Sequence, residues 1–207
     1  MKKPSEPVDA REELRQSIIG LGERSIRKRY YPERQQRIAE PDQATSDLAL
    51  PACRQALAAA GITETDIDYI IMGTITPDCC CPAGANVLQG KLGAHQAVTF
   101  DITAACSGFV FALDVAMRYL QAGAARNILV VAAEVMSRVV DWTDRATCVL
   151  WGDGAGAAVL KAEEGGPQII DLYIGTDGAN GQNLLVPGGG SSTTRSAMNR
   201  WTRSCTP

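Results

Sequence analysis

The chain has 207 residues, of which 45% are hydrophobic, and carries a formal net charge of −3. This ordinary, slightly acidic composition argues against nucleic acid or an anionic membrane as the main partner. No apolar run reaches the roughly 18 to 20 residues of a membrane helix, and the polar residues 1–16 do not resemble a secretory signal. We therefore expect a cytoplasmic protein without a membrane span.

The hydrophobic pattern alternates between strands and helices along the chain. The predicted strands lie at 17–22, 68–77, 97–102, 127–136, 151–162 and 167–178. The predicted helices cover 46–62, with Ser46 as cap and Gly61 at the end, then 82–94, and the residues between Cys106 and Gly123. This alternation indicates an α/β fold in helix/sheet/helix layers, with a mostly parallel sheet and a final antiparallel pair of strands.

The domain organisation follows from the same pattern. We predict one domain over residues 17–190, preceded by a charged, mobile lead-in at 1–16. Residues 191–207 have no periodicity and are rich in Ser, Thr and Gly, which predicts an unstructured tail.

Seven cysteines are present, an odd number without paired CxxC spacing: Cys53, Cys79, Cys80, Cys81, Cys106, Cys148 and Cys205. This pattern predicts neither a disulfide framework nor a zinc site. The three adjacent cysteines lie in a Pro-rich segment, where we interpret them as small turn residues rather than metal ligands. No metal and no resident cofactor are expected.

Cys106 lies where a predicted strand becomes a helix, in the stretch DITAACSGFVFAL at 101–113. The positive end of a helix favours thiolate over thiol, and free N–H groups there can hold an oxyanion. The small neighbours Ala104, Ala105 and Gly108 leave room for a substrate. A small buried side chain in a tight joint is the alternative, and placement alone leaves both interpretations open.

Two other features of the sequence are not expected to take part in chemistry at Cys106. His95, the chain's single histidine, precedes strand 97–102, whose length of roughly 20 Å separates it from Cys106. We therefore predict a loop histidine rather than a catalytic base. The Gly-rich run at 152–156 is followed by a strand instead of a helix, so it is not a dinucleotide-binding fingerprint.

Several motifs resemble the β-ketoacyl-acyl-carrier-protein (ACP) synthase III enzymes of the thiolase superfamily. They are DITAACSGF around Cys106, DWTDRAT at 141–147 and WGDGAGAAVL at 151–160, and the resemblance continues from about residue 37 to 190. It implies the N-terminal, thiolase-like half of the family's enzyme, possessing a mostly parallel mixed sheet and a shortened start.

The resemblance also implies roles for individual residues. Cys106 stands at the nucleophile position, which accepts an acyl group from acyl-CoA for decarboxylative Claisen condensation with malonyl-ACP. Arg145 matches an arginine that contacts the CoA nucleotide, and Trp151 matches a bulky position near the acyl pocket or is a core aromatic. Cys81 lies in the loop 77–86, which in the family's homodimer reaches toward the partner's pocket. Acyl-CoA is a substrate here, and ACP is the expected protein partner.

The family's malonyl-binding His and Asn lie in a second half that has no counterpart in this chain. The chain alone is therefore expected to lack condensation activity, and a homodimer or a complementary second half is the expected assembly. The alternatives are a non-catalytic fragment or pairing module of a split or degenerate ketosynthase, and a related synthase of secondary metabolism.

Overall fold

The computed structural model describes residues 37–144, 146–163, 165, 168–186 and 188–191. The predicted lead-in at 1–16, the predicted strand at 17–22, Arg145 and the predicted tail from residue 192 onward lie outside the described residues. The proposed domain boundaries therefore stay predictions.

One four-stranded sheet, with the spatial order β2-β1-β3-β4, is at the centre of the described fold. The strands are β1 (Tyr69–Gly73), β2 (Val98–Ile102), β3 (Asn127–Glu134) and β4 (Gly154–Lys161). Strand β1 runs parallel to both β2 and β3, and β4 pairs antiparallel with β3. The carboxyl ends of β1, β2 and β3 therefore meet at one edge, where ligand sites of parallel sheets form.

In the described part of the chain, three helices cover the two faces of this sheet: α1 (Thr45–Ala60), α2 (Gly84–Leu92) and α3 (Gly108–Gln121). Successive side chains of a strand point to opposite faces, so each central strand contributes to two cores. The core under α1 and α2 includes Ala49, Cys53, Leu57, Leu88, Ile70, Met72, Leu129 and Val131. The core under α3 includes Ala112, Ala116, Ile71, Ile128 and Val130. The predicted α/β architecture in helix/sheet/helix layers is confirmed.

The beginning of α1 differs from the prediction. The helix ends before Gly61 as expected, at a left-handed φ of 65° that glycine adopts without strain. Ser46 is not the cap, because the helix begins at Thr45 and Ala44 precedes it. The N–H of Ser46 instead donates to Oδ1 of Asp78 at 2.8 Å, so a carboxylate from a distant loop satisfies this helix end.

The predicted strand at 167–178 was wrong for the residues that the structure describes. Residues 168–177 form no strand, and a 3₁₀ helix follows at Gly178–Asn183. Ile170 and Tyr173 are 91% and 94% exposed. A strand needs a hydrogen-bonded neighbour, and the antiparallel pair in the described sheet is formed by β3 and β4 instead.

Candidate active site

Cys106 lies in a single 3₁₀ turn, Ala105–Ser107, between the end of β2 and the first residue of α3. Its side chain is exposed and its thiol is free, so the interpretation as a small buried side chain does not describe it. The 14-residue helix α3 begins two residues later, and the positive end of a helix dipole favours negative charge nearby. The location therefore suits a nucleophile, and that role stays a prediction.

Two backbone features hold this turn in an uncommon conformation. Ala105 has a φ of 45°, and it is the one non-glycine residue of the described chain with a positive φ. Such strain costs on the order of 1–3 kcal/mol and persists where surrounding structure enforces it. The backbones of Gly73 and Gly108 meet here, because a Cβ built on Gly73 would lie 2.7 Å from the carbonyl carbon of Gly108. The end of β1 therefore supports the start of α3.

Cys106 faces a broad cleft that is open to solvent at the carboxyl edge of the parallel strands. The half-buried Trp151 lines the same cleft, so the structure brings these two predicted residues to one site. Cys81 is exposed and does not line the cleft, whereas its neighbours Cys79 and Cys80 do. Arg145 lies outside the described residues, so its expected contact with the CoA nucleotide stays a prediction.

The structure adds Glu134, which the sequence analysis missed, to the wall of this cleft. Its carboxylate accepts hydrogen bonds from the N–H groups of Ile75 at 2.8 Å and Thr76 at 3.0 Å. The hydroxyls of Thr74, at 3.2 Å, and of Thr76 also donate to it. A charged residue at the end of the apolar stretch NILVVAAE was the available sequence signal, since such a residue requires partners when it is buried.

Two further carboxylates hold the segment between β1 and α2. Both oxygens of Asp101, on β2, accept the first N–H groups of α2, from Gly84 at 2.7 Å and Ala85 at 2.8 Å. Asp78 accepts the N–H and the hydroxyl of Ser46 on α1. A carboxylate at a helix N-terminus satisfies free donors and interacts favourably with the helix dipole. The loop that carries the three adjacent cysteines is therefore attached at both ends.

The Gly-rich run at 152–156 contains Asp153, whose carboxylate binds two other segments of the chain. This carboxylate is 4% exposed and accepts hydrogen bonds from the N–H of Ala39 at 2.7 Å and from the N–H and hydroxyl of Ser137 at 2.7 and 2.6 Å. A Cβ on Gly152 would lie 3.4 Å from the carbonyl oxygen of Arg37, so the small residue permits this close approach. Residues 37–39, Ser137 and the start of β4 are therefore joined beside the cleft.

The structure places His95 before β2 and Cys106 after it, so the two side chains lie toward opposite ends of that strand. Within the described ranges, no group of three or more His, Cys, Asp or Glu side chains is arranged to hold a metal ion. None of the helices described has the length and apolarity required to cross a membrane.

Comparison with known proteins shows which enzymes the chain resembles. Residues 100–178 match the family described as 3-oxoacyl-[acyl-carrier-protein] synthase III. A β-ketoacyl-[acyl-carrier-protein] synthase III of Xanthomonas campestris is 49% identical over 185 residues, which is 89% of this chain and 53% of the relative. Over the compared residues, the chain is similar to β-ketoacyl-ACP synthase III enzymes.

Further synthase III enzymes are similar to this chain in sequence and structure. The synthase III of Caldanaerobacter subterraneus is 48% identical over 76% of this chain and 48% of its own length. The crystal structure of the Pseudomonas aeruginosa synthase III superimposes with a TM-score of 0.71 at 38% identity, over 77% of this chain and 50% of that one. The thiolase-like α/β fold is thereby confirmed. The chain spans about half the length of the curated relatives it matches.

The thiols of this chain are expected to differ sharply in reactivity. Burial raises the pKa of Cys53 to about 12, whereas Cys79, Cys80, Cys81 and Cys106 are exposed. Because the thiolate is the reactive form, Cys53 should resist iodoacetamide in the native protein at pH 8 and react after unfolding in urea. Peptide mapping after alkylation measures this, and native labelling of Cys53 as fast as that of Cys80 would contradict the buried placement of α1.

Proposed function

We propose that this chain is the acyl-accepting part of a β-ketoacyl-ACP synthase III acyltransferase, in which Cys106 accepts an acyl group from acyl-CoA. The observation that carries the proposal is the exposed Cys106 thiol, which faces an open cleft at the start of α3. The family match at residues 100–178 includes this residue and supports the assignment.

The proposed step is a transfer between two thiols. The Cys106 thiol loses its proton, and its sulfur attacks the carbonyl carbon of the acyl-CoA thioester. The new carbon–sulfur bond forms as the bond to the CoA sulfur breaks, and CoA leaves as a thiolate that takes up a proton. The positive end of the α3 dipole stabilises negative charge on the attacking sulfur. The small residues Ala104 and Ala105 leave the approach to the carbonyl open.

The remaining parts of the activity extend the same proposal. The acyl group on Cys106 would condense with malonyl-ACP as malonyl loses CO₂, in a homodimer or with a complementary second half. Arg145 would contact the CoA nucleotide, since a guanidinium pairs with phosphate and stacks on adenine. Trp151 would contact the acyl group, which is supported by its place in the cleft. Cys81 would face the partner's pocket and influence acyl preference.

Intact-mass measurement after incubation with acetyl-CoA tests the acyl-accepting step. We expect the wild-type chain to gain the mass of one acetyl group, located on Cys106 by peptide mapping, and the Cys106→Ser variant to gain none. Cys80→Ser is the matched control, because it removes another exposed thiol of the same cleft and should leave the adduct unchanged. An adduct that persists in Cys106→Ser, or no adduct on folded wild-type protein, would contradict the proposal.

Exposed apolar side chains favour a second candidate, a non-catalytic pairing module. Leu150, Ile170, Tyr173 and Leu184 are between 66% and 94% exposed. Large exposed apolar groups are typical of surfaces that another protein covers. This candidate becomes the better interpretation if folded wild-type protein forms no acetyl adduct.

A further inference from the structure

Glu134 connects the end of β3 with the segment after β1 at the edge of the cleft. It is the last residue of β3, and its carboxylate binds both backbone N–H groups of residues 75 and 76. The Thr76 hydroxyl also accepts the N–H of Val135 at 2.9 Å, and the Thr76 carbonyl accepts the Thr45 hydroxyl. The carboxylate therefore holds the segment after β1 against the end of β3, and a separate hydrogen bond joins that segment to α1.

The same segment contacts the residues on both sides of the turn that carries Cys106. The N–H of Thr74 donates to the carbonyl oxygen of Ile102, the last residue of β2, at 3.2 Å. Gly73 touches the backbone of Gly108, the first residue of α3. Along the chain, the turn Ala105–Ser107 lies between these two contact points, Ile102 and Gly108. A displacement of residues 73–76 would therefore reach the cysteine through contacts on both of its sides.

We infer that Glu134 is a positioning residue for Cys106, which acts through residues 73–76 and does not touch the acyl group. This inference rests on the proposed function of Cys106. The role requires a group that only accepts hydrogen bonds, because the four donors that face it come from Thr74, Ile75 and Thr76. An ionised carboxylate meets this requirement, whereas a glutamine would turn its NH₂ group toward at least one of these donors.

The test compares Glu134→Gln with the wild-type chain in two reactions at Cys106. The first is acetylation by acetyl-CoA, followed by mass over a range of concentrations. The second is alkylation by iodoacetamide, quantified by peptide mapping. Glu64→Gln is the matched control, because this exposed glutamate precedes β1 and lies away from the cleft. All proteins are compared well below their thermal transitions, after circular dichroism has shown equal helix content.

We expect Glu134→Gln to lower the saturating acetylation rate constant roughly 10- to 100-fold, since misplacement of a reacting group costs about that much. The half-saturating acetyl-CoA concentration should change less than about twofold, because the bound substrate is not contacted. Alkylation of Cys106 should slow at least about threefold for the same positional reason. Glu64→Gln should match the wild type in both reactions.

The outcomes separate the two proposals. If the wild type is alkylated but never acetylated, the proposed function fails, and alkylation alone still decides the role of Glu134. Wild-type rates in a folded Glu134→Gln variant would overturn the inference. If that variant does not fold, Thr74→Val removes one donor to Glu134 and one acceptor of the Thr76 N–H in a similar volume, and should slow both reactions in the same direction. Unchanged rates in Thr74→Val would then overturn it.

Discussion

Replacing Gly73 by alanine is expected to lower the free energy of unfolding by about 1–3 kcal/mol, the usual cost of forcing an extra group into a packed core. The new Cβ would lie 2.7 Å from the carbonyl carbon of Gly108 and 3.0 Å from its Cα and oxygen. These are backbone atoms, which cannot rotate away as the end of a flexible side chain can. The substitution therefore separates β1 from α3 at the point that supports Cys106.

Urea unfolding monitored by circular dichroism measures this loss. Gly90→Ala is the matched control, because it adds the same methyl group within helix α2, where nothing lies within 4 Å of the new Cβ. Alanine is favoured over glycine in a helix interior by roughly 0.5–1 kcal/mol, so the control should become more stable. Equal stabilities for Gly73→Ala and the wild type would contradict the close contact between Gly73 and Gly108.

Replacing Asp153 by alanine is expected to lower the free energy of unfolding by about 2–4 kcal/mol, because buried donors lose their acceptor. The N–H groups of Ala39 and Ser137 would be left without the carboxylate that they now share. The loss should also weaken the attachment of residues 37–39 to the start of β4, where only the backbone bond from the N–H of residue 153 to the Arg37 carbonyl remains. We therefore expect the segment near Ala39 to exchange its amide hydrogens faster in the variant.

Urea unfolding and hydrogen exchange followed by mass spectrometry measure the two effects. Asp171→Ala is the control, since this exposed carboxylate accepts only the N–H of the adjacent Leu172 among the bonds described. Surface substitutions of this kind change stability by less than about 0.5 kcal/mol. An Asp153→Ala variant as stable as the control would show that the three segments do not depend on this carboxylate.

Local sequence signals were sufficient for the element that carries Cys106. An apolar strand, a run of small residues and a helical period follow one another within residues 97–123, and the structure places β2, the turn and α3 in that order. Chain order also predicted that His95 and Cys106 lie toward opposite ends of β2, since the two residues flank the same strand. These predictions succeeded because they depend on neighbours along the chain.

The failures occurred where the deciding partner is distant in sequence. Serine is a residue type that often caps a helix, but here the N–H of Ser46 donates to the carboxylate of Asp78, 32 residues away. Residues 167–178 have the composition of a strand, yet the described part of that stretch has no neighbouring strand with which to pair. Amino-acid composition indicates which secondary structure a segment favours. Its hydrogen bonds depend on which other segments the fold places beside it.

The sequence by itself therefore determined the layers of the fold, the family resemblance and the position of the proposed nucleophile at a strand–helix junction. Only the tertiary structure decided which groups line the cleft that Cys106 faces. The strand order β2-β1-β3-β4 places the end of β3 beside the segment after β1, which joins Glu134 to Ile75, 59 residues away. It likewise joins Asp153 to Ala39, 114 residues away. Periodicity and capping patterns act over one or two turns of chain, so they carry no information about such pairs.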